Sequence, residues 1–154
     1  MKAKFLTLSM IALIAITSIS CSKNDDPIAP VIPIIPVAVD GFRWTENGTA
    51  TVLTVDNPYA NASFNSIFAV RSGTTIYEIN LTALTPGTYA LGGASANSLF
   101  YNNTAAATSF SPTSGSVIIT ANANNKLTGT FTATGTGAGV TSVSGSFTNI
   151  VINP

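Results

Sequence analysis

The chain of 154 residues contains no histidine and only one cysteine. Zinc and haem sites are built mainly from histidine and cysteine ligands, and an internal disulfide needs a second cysteine. A serine nucleophile would also lack the histidine that commonly serves as its base. We therefore expect no metal site, no cofactor and no disulfide framework.

Charged residues are also scarce, with six Lys and Arg against six Asp and Glu and a net charge of zero. Nucleic-acid binding requires clustered positive charge that displaces counterions, so we expect no nucleic-acid partner. The acids beyond residue 39 are Asp40, Glu46, Asp56 and Glu78. Their spacing does not indicate the carboxylate pair that a glycosidase holds about 5 to 9.5 Å apart. The sequence predicts a protein that is not an enzyme.

The first twenty residues have the features of an export signal. Two lysines, Lys2 and Lys4, precede the apolar run FLTLSMIALIAITSIS, which is too short to span a membrane comfortably. Cys21 follows Ser20, and this arrangement resembles the lipobox at which lipoprotein signal peptides are cleaved. The resemblance implies a signal peptide over residues 1–20 and a mature N-terminal Cys21 that carries diacylglycerol and a further acyl chain such as palmitate.

The residues after Cys21 resemble the short signal of lysine and acids found in Bacteroidota-type lipoproteins that are displayed on the cell surface. Lys23, Asp25 and Asp26 carry this resemblance. It implies that a lipid anchor holds the protein in the outer membrane, facing outward. A periplasm-facing orientation is the alternative.

Residues 21–40 form a proline-rich linker in which every third residue from Pro27 to Pro36 is proline. This interval is the repeat of a polyproline II helix, which would span roughly 30 Å at about 3.1 Å per residue. We expect a stiff spacer that holds the following domain away from the bilayer.

Residues 41–154 are rich in Thr, Ser, Asn and Gly with β-branched and aromatic residues between them, which favours strands and turns. Asn47-Gly48 predicts a hairpin turn that joins FRWTE to TATVLTV. SVIITA reads as a strand, and TAAATSFSPTSG reads as a long loop before it. About eight or nine short strands joined by turns predict one all-β domain, an antiparallel β-sandwich or, as the alternative, a small closed β-barrel.

A second hairpin is predicted around Ser72-Gly73. With this turn, Val70 lies opposite Thr75 and Phe68 lies opposite Tyr77, so that Phe68 faces the core and Ile67 faces away from it. Near the C-terminus, LTGTFTAT and VSGSFTNI align sixteen residues apart and predict an antiparallel pair with a solvent-facing row of Thr. Their glycines indicate bends or close packing. The predicted core residues are Phe68, Tyr77, Ile79, Leu127 and Phe131.

Several of these segments, from IYEINL and PGTYAL to KLTGTFTAT and VSGSFTNI, resemble a group of uncharacterised Bacteroidota-type lipoproteins that is defined only as a domain of unknown function. The resemblance covers most of the stretch from Gly41 to Ile152. It implies a lipoprotein with an all-β domain, and it brings no catalytic residues with it.

Four aromatic residues near predicted turns or strand ends are candidate ligand contacts: Trp44, Tyr59, Tyr101 and Phe110. An exposed ring there would stack on a sugar or anchor a protein contact, whereas a buried ring would cap the core. We expect a membrane-anchored, non-enzymatic surface module that binds a glycan or another envelope protein. The alternative is a lipocalin-like carrier that holds an apolar ligand inside a closed barrel.

Overall fold

In a computed structural model of the chain, residues 39–103 and 109–154 are described, and all regular elements within them are β-strands. The prediction of an all-β domain is thereby confirmed. The strands are β1 Gly41–Glu46, β2 Leu53–Thr54, β3 Asn57–Asn61, β4 Ser66–Arg71, β5 Thr74–Asn80, β6 Gly87–Leu91, β7 Ser98–Asn102, β8 Ser109–Ala123, β9 Lys126–Thr136 and β10 Ser142–Asn153.

The predicted signal peptide, lipidation site Cys21, export signal (Lys23, Asp25 and Asp26) and proline-rich linker to residue 38 lie outside the described residues. Within the described ranges there is no helix of the length and hydropathy that a membrane span requires.

Seven strands form a closed ring in the order β10, β3, β4, β5, β7, β8 and β9, and β9 pairs with β10 again. The architecture is therefore the small closed barrel, which is the alternative predicted from the sequence, and the prediction of a sandwich is wrong. Closure depends on the length of β10, because its first part pairs with β1 and its last residues, Val151 to Asn153, pair in parallel with β3. A closed ring leaves none of its strands as a free edge. Strand β2 extends the sheet beyond β1, and β6 pairs with β8.

The Ser72-Gly73 turn is present, and both residues have positive φ. Val70 lies opposite Thr75 as predicted, but the next pair is Ala69 with Tyr77, which leaves Ile76 as an extra residue in β5. Such a β-bulge shifts all later pairs by one residue.

The bulge reverses the predicted inside and outside of β4. Phe68 lies opposite Glu78 rather than Tyr77, and it is only half-buried, whereas Ile67 is fully buried opposite Ile79. The prediction that Phe68 belongs to the core is wrong, because an extra residue on one strand exchanges the faces of the other. The other four predicted core residues are buried: Tyr77, Ile79, Leu127 and Phe131.

Two of the predicted loops also differ from the structure. Asn47 and Gly48 both have positive φ, as the turn requires. Pairing with β1 begins only at Leu53, opposite Trp44, so the connection is longer than a two-residue hairpin and β2 has only two residues. The segment SFSPTSG, predicted as loop, is the first part of β8, where it pairs with β7 and β9.

The barrel interior is filled by aromatic side chains. Phe42 and Trp44 of β1 pack on Tyr77, with ring centroids 5.1 and 5.2 Å away, and Phe131 of β9 stacks on Phe42 at 5.2 Å. Tyr101 of β7 stacks on the same Tyr77 at 4.4 Å. Side chains commonly fill the interior of barrels of this size.

The glycines of β9 and β10 make room for these rings. Gly129 lies opposite Phe147, and Gly145 lies opposite Phe131. A Cβ atom at either glycine would collide with the facing phenyl ring and with a backbone carbonyl oxygen. Both glycines therefore serve close packing, which is one of the two roles expected from the sequence.

Candidate functional site

Three of the four predicted ligand contacts are buried, with exposed fractions of 1% for Trp44, 3% for Tyr101 and 0% for Phe110. These three rings cap the core and are not available as surface contacts, which corrects the prediction for them. The reason is strand alternation, which turns each of these side chains to the inner face. Tyr59 is half-exposed and remains a candidate.

Trp44 and Tyr101 instead hold the carboxylate of Glu46 at the end of β1. The indole Nε1 of Trp44 donates a hydrogen bond to Glu46 Oε1 at 3.3 Å, and the Tyr101 hydroxyl donates to the same oxygen. The guanidinium carbon of Arg71 lies 5.3 Å from the centroid of the Trp44 ring, as a cation–π contact requires. Glu46 thus accepts hydrogen bonds that satisfy buried donors.

Tyr77 differs from its stacked neighbour Tyr101 because its hydroxyl has no hydrogen-bond partner within the described ranges. Burial raises the pKa of Tyr77 far above its ordinary value, and the nearby Tyr101 and Glu46 raise it further. Burial also raises the pKa of Tyr101, and the hydrogen bond to Glu46 adds to this effect. Both phenols therefore stay neutral in the folded protein at a pH of about 10, at which a free tyrosine ionises.

We expect Tyr77→Phe and Tyr101→Phe to have opposite effects on the free energy of unfolding. Tyr77→Phe removes an unpaired buried hydroxyl and should be neutral or stabilising, whereas Tyr101→Phe removes a hydrogen bond to a carboxylate, worth about 1.5 to 3 kcal/mol. Urea denaturation of both variants at pH 7 measures the difference. Equal losses in the two variants would contradict the assigned hydrogen bond.

The same residues predict how stability changes at alkaline pH. Because both folded-state pKa values are raised, the contribution of the neutral phenols is complete below the unfolded pKa of about 10 and is lost as pH rises above it. Between about pH 9 and about pH 11, the free energy of unfolding of each Tyr→Phe variant should therefore fall less than that of the wild type.

Tyr59 belongs to a line of outward-facing side chains that crosses five neighbouring strands. Strand pairing places Val151, Tyr59, Phe68, Glu78 and Phe100 next to one another in that order, on β10, β3, β4, β5 and β7. We call these five residues the outer row. The rings of Tyr59 and Phe68 are stacked with centroids 5.1 Å apart, and Phe100 is 45% exposed. With strands about 4.8 Å apart, the row spans about 19 Å.

A cleft of about 550 Å³ lies at the Phe100 end of the outer row. We call it the outer cleft. Its walls come from β5 and β7, from the connection between β6 and β7, and from the start of β8. The lining side chains are mostly amides, hydroxyls and one carboxylate, and they include Glu78, Asn80, Ser95, Asn97, Ser98, Phe100 and Ser111.

Hydrogen bonds fix the polar side chains of the outer cleft. Asn80 Nδ2 donates to Glu78 Oε1 at 3.1 Å and to Ser98 Oγ at 3.3 Å, and Asn80 Oδ1 accepts from Ser66 Oγ at 2.5 Å. Across the cleft, Asn97 Nδ2 donates to the carbonyl oxygen of Ala90 at 3.0 Å. The cleft is thus held in shape by the protein's own contacts.

Most of this site does not follow from strand alternation in the sequence, because a bulge decides which side chains face outward. Phe68 and Glu78 share the outer face only because Ile76 is the extra residue in β5. The sequence does indicate the outward direction of Phe100. Its neighbours Leu99 and Tyr101 are apolar or aromatic, so if both face inward, strand alternation turns Phe100 outward.

The site offers little for metal binding or acid–base chemistry. No group of three or more His, Cys, Asp or Glu residues that could hold a metal ion is found in residues 39–103 and 109–154. Glu46 points inward onto Tyr101, whereas Glu78 lies on the outer face. The arrangement combines outward-facing rings with polar side chains that hydrogen bonds hold in place.

Comparison with known protein families gives a match for the chain. A family described as a domain of unknown function (DUF6252) matches residues 45–151. The chain belongs to this family. No curated protein and no solved structure matches the chain. All of the outer row and the outer cleft lie within the matched residues, so the candidate site is part of the family domain.

Proposed function

We propose that the protein is a lipid-anchored envelope protein whose barrel binds a glycan at the outer row and the outer cleft without catalysing a reaction. The observation that carries the proposal is the alignment of outward-facing rings beside fixed amide, hydroxyl and carboxylate groups. A sugar ring has an apolar face that stacks on an aromatic ring and hydroxyls that need donors and acceptors.

The rings of the outer row are well placed for stacking. Each stands on a paired strand, which fixes its direction better than a loop would. Tyr59 and Phe68 already stack on each other, so little side-chain entropy remains to be lost when a ligand covers them. A row of about 19 Å is long enough for several sugar units rather than one.

The polar groups of the outer cleft supply the hydrogen bonds that orient a sugar. Glu78 Oε1 is engaged by Asn80, whereas no hydrogen bond within the described ranges engages Glu78 Oε2. That oxygen is available to accept from a ligand hydroxyl. A few fixed polar groups beside an apolar surface are the usual composition of a ligand site.

The proposed location follows from the start of the sequence. The charged and apolar segment before Cys21, and Lys23, Asp25 and Asp26 after it, support lipidation at Cys21 and display on the outer surface of the outer membrane. Two or more acyl chains give stable anchoring, where a single chain gives marginal anchoring. A periplasm-facing orientation is the alternative location.

A second function, that of a carrier for an apolar ligand, is favoured by the closed barrel itself. The interior rings oppose it, since Tyr77 packs on Phe42, Trp44, Tyr101 and Phe131 at centroid distances of 4.4 to 5.4 Å. Saturable binding of a lipophilic dye by the purified protein would favour the carrier over the glycan-binding module.

We expect Phe100→Ala to weaken glycan binding about tenfold, because it removes an exposed stacking surface from the row. Glu78→Gln should weaken it as well by removing a charged acceptor. The full-length, detergent-solubilised protein is first applied to an array of bacterial and plant glycans. The affinity of the variants for the glycan retained is then measured by calorimetry.

The matched control is Phe64→Ala, because Phe64 is 73% exposed at the turn before β4 and lies outside the outer row. It should bind as the wild type does. Retention of no glycan by the wild type, or equal weakening by Phe64→Ala and Phe100→Ala, would overturn the proposed site.

A further inference from the structure

The outer faces of β1 and β10 carry a second cluster of polar side chains, separate from the outer row. Arg43 lies opposite Ser146, and Thr45 lies opposite Ser144, so alternation turns all four to the same outer face. These residues line a cleft of about 280 Å³, and Val52, which is 55% exposed, forms another part of its wall. We call it the Arg43 cleft.

Arg43 carries the positive charge of this cleft. Within the described ranges no acidic side chain forms an ion pair with it, and its Nε is buried without a hydrogen-bond partner. An unpaired buried donor costs free energy. The backbone that carries Arg43 is fixed, since β1 pairs with β10 on one side and β2 on the other.

The other cations of the barrel are placed differently. Arg71 donates to the carbonyl oxygen of Thr54 at 2.6 Å and lies over the Trp44 ring, so its guanidinium already has contacts. Lys126 is exposed at the start of β9. The acid of β1 itself, Glu46, points inward onto Tyr101 and does not neutralise Arg43.

The chemistry of the cleft selects an anion with several oxygens. A guanidinium presents a planar fork of N–H donors that matches carboxylate, phosphate and sulfate groups. The hydroxyls of Ser144 and Ser146 can donate further hydrogen bonds to the same oxygens, whereas the Thr45 hydroxyl already donates to the carbonyl oxygen of Ser144 at 3.4 Å. No side chain of the cleft carries a negative charge that would repel such a group.

We infer that the Arg43 cleft is a binding site for an anionic oxygen group of a ligand, either a carboxylate or a phosphate or sulfate ester. Arg43 supplies the charge and the fork, and the hydroxyls of Ser144 and Ser146 supply the remaining donors. The site is independent of the glycan contact at the outer row, because the two share no residue. Val151, the β10 residue of the outer row, lies beyond the part of β10 that pairs with β1.

The inference is tested by NMR titration of the full-length protein in low-salt buffer with acetate, inorganic phosphate and sulfate in turn. We expect saturable shifts of the Arg43 Nε–H signal and of the amide signals of Thr45 and Ser144. Saturation with acetate alone identifies a carboxylate site, and saturation with phosphate or sulfate identifies a tetrahedral anion. Arg43→Gln should weaken binding about tenfold or more.

Lys126→Gln is the control, because it removes the same charge from an exposed position outside the cleft and should leave the affinity unchanged. If Arg43→Gln does not fold, Ser146→Ala provides the second variant and should weaken binding without a change in charge. Shifts that rise linearly without saturation, or equal weakening by Arg43→Gln and Lys126→Gln, would overturn the inference.

Discussion

Replacing Gly145 with valine is expected to prevent the chain from forming its closed barrel. A Cβ atom at this position would overlap the ring of Phe131 on β9 and the carbonyl oxygen of Arg43 on β1. Phe131 is itself packed on Phe42 and Tyr77, so its ring has no free direction in which to move. The carbonyl of Arg43 belongs to a paired strand and is equally fixed.

The expected loss is large compared with the stability of a domain. Overpacking a core costs about 1 to 3 kcal/mol when side chains alone must shift, and more when the backbone must move as well. The free energy of unfolding of a domain is about 5 to 15 kcal/mol. We therefore expect Gly145→Val to unfold at much lower urea concentration than the wild type, or to be unfolded in buffer, as measured by circular dichroism.

Ser144→Val is the matched control because Ser144 is the exposed neighbour on the same strand. Valine there has high β propensity and no collision to make, so the urea midpoint should be unchanged or higher. A Gly145→Val protein with the wild-type midpoint would mean that β9 and β10 do not pair as described.

The crosswise packing of glycine and phenylalanine follows from the sequence once the strands are paired. In both LTGTFTAT and VSGSFTNI, a glycine precedes a phenylalanine by two residues. Antiparallel pairing of two such segments brings the glycine of each opposite the phenylalanine of the other, as Gly129 with Phe147. The repeat predicted which faces are buried, but the crosswise pairs needed the register as well.

Other parts of the fold could not be predicted because they depend on contacts between distant segments. The parallel pairing of Val151 with Tyr59 closes the barrel, and no turn or repeat connects these two regions of the sequence. The bulge at Ile76 has a similar origin. Ile76 and Tyr77 are both buried, although strict alternation would turn one of two consecutive residues outward. The bulge depends on how β5 packs against its neighbours, and the sequence pattern does not indicate this packing.

The same reasons explain why Tyr59 alone of the four candidate contacts lies on the outer face. Position near a turn identified four aromatic residues, but it does not say which face a ring occupies. Trp44 and Tyr101 are the hydrogen-bond donors to Glu46, and this contact is apparent only once β1 and β7 are brought together. Tyr59 remained on the outer face because alternation in β3 turns Ala60 inward instead.

We expect Cys21→Ala to abolish lipid attachment and to release the protein from the membrane fraction. Cys21 supplies the only thiol in the sequence, so no second site for a thioether exists. Each buried CH₂ group of an acyl chain contributes about 0.8 kcal/mol to membrane binding, and two or more chains give stable anchoring. Loss of the thiol removes all of this free energy at once, which makes the expected effect close to complete.

The measurement is incorporation of labelled palmitate into the protein, followed by membrane fractionation and by protease treatment of intact cells. The wild type should incorporate label, sediment with membranes and lose its barrel to added protease, as surface display requires. Ser22→Ala is the control, since it changes the neighbouring residue and leaves the thiol in place. Label that persists in Cys21→Ala would contradict lipidation of Cys21. A wild type that is labelled but resists protease would still be lipid-anchored and would favour the periplasm-facing orientation, because the two orientations differ only in the side of the membrane on which the barrel lies.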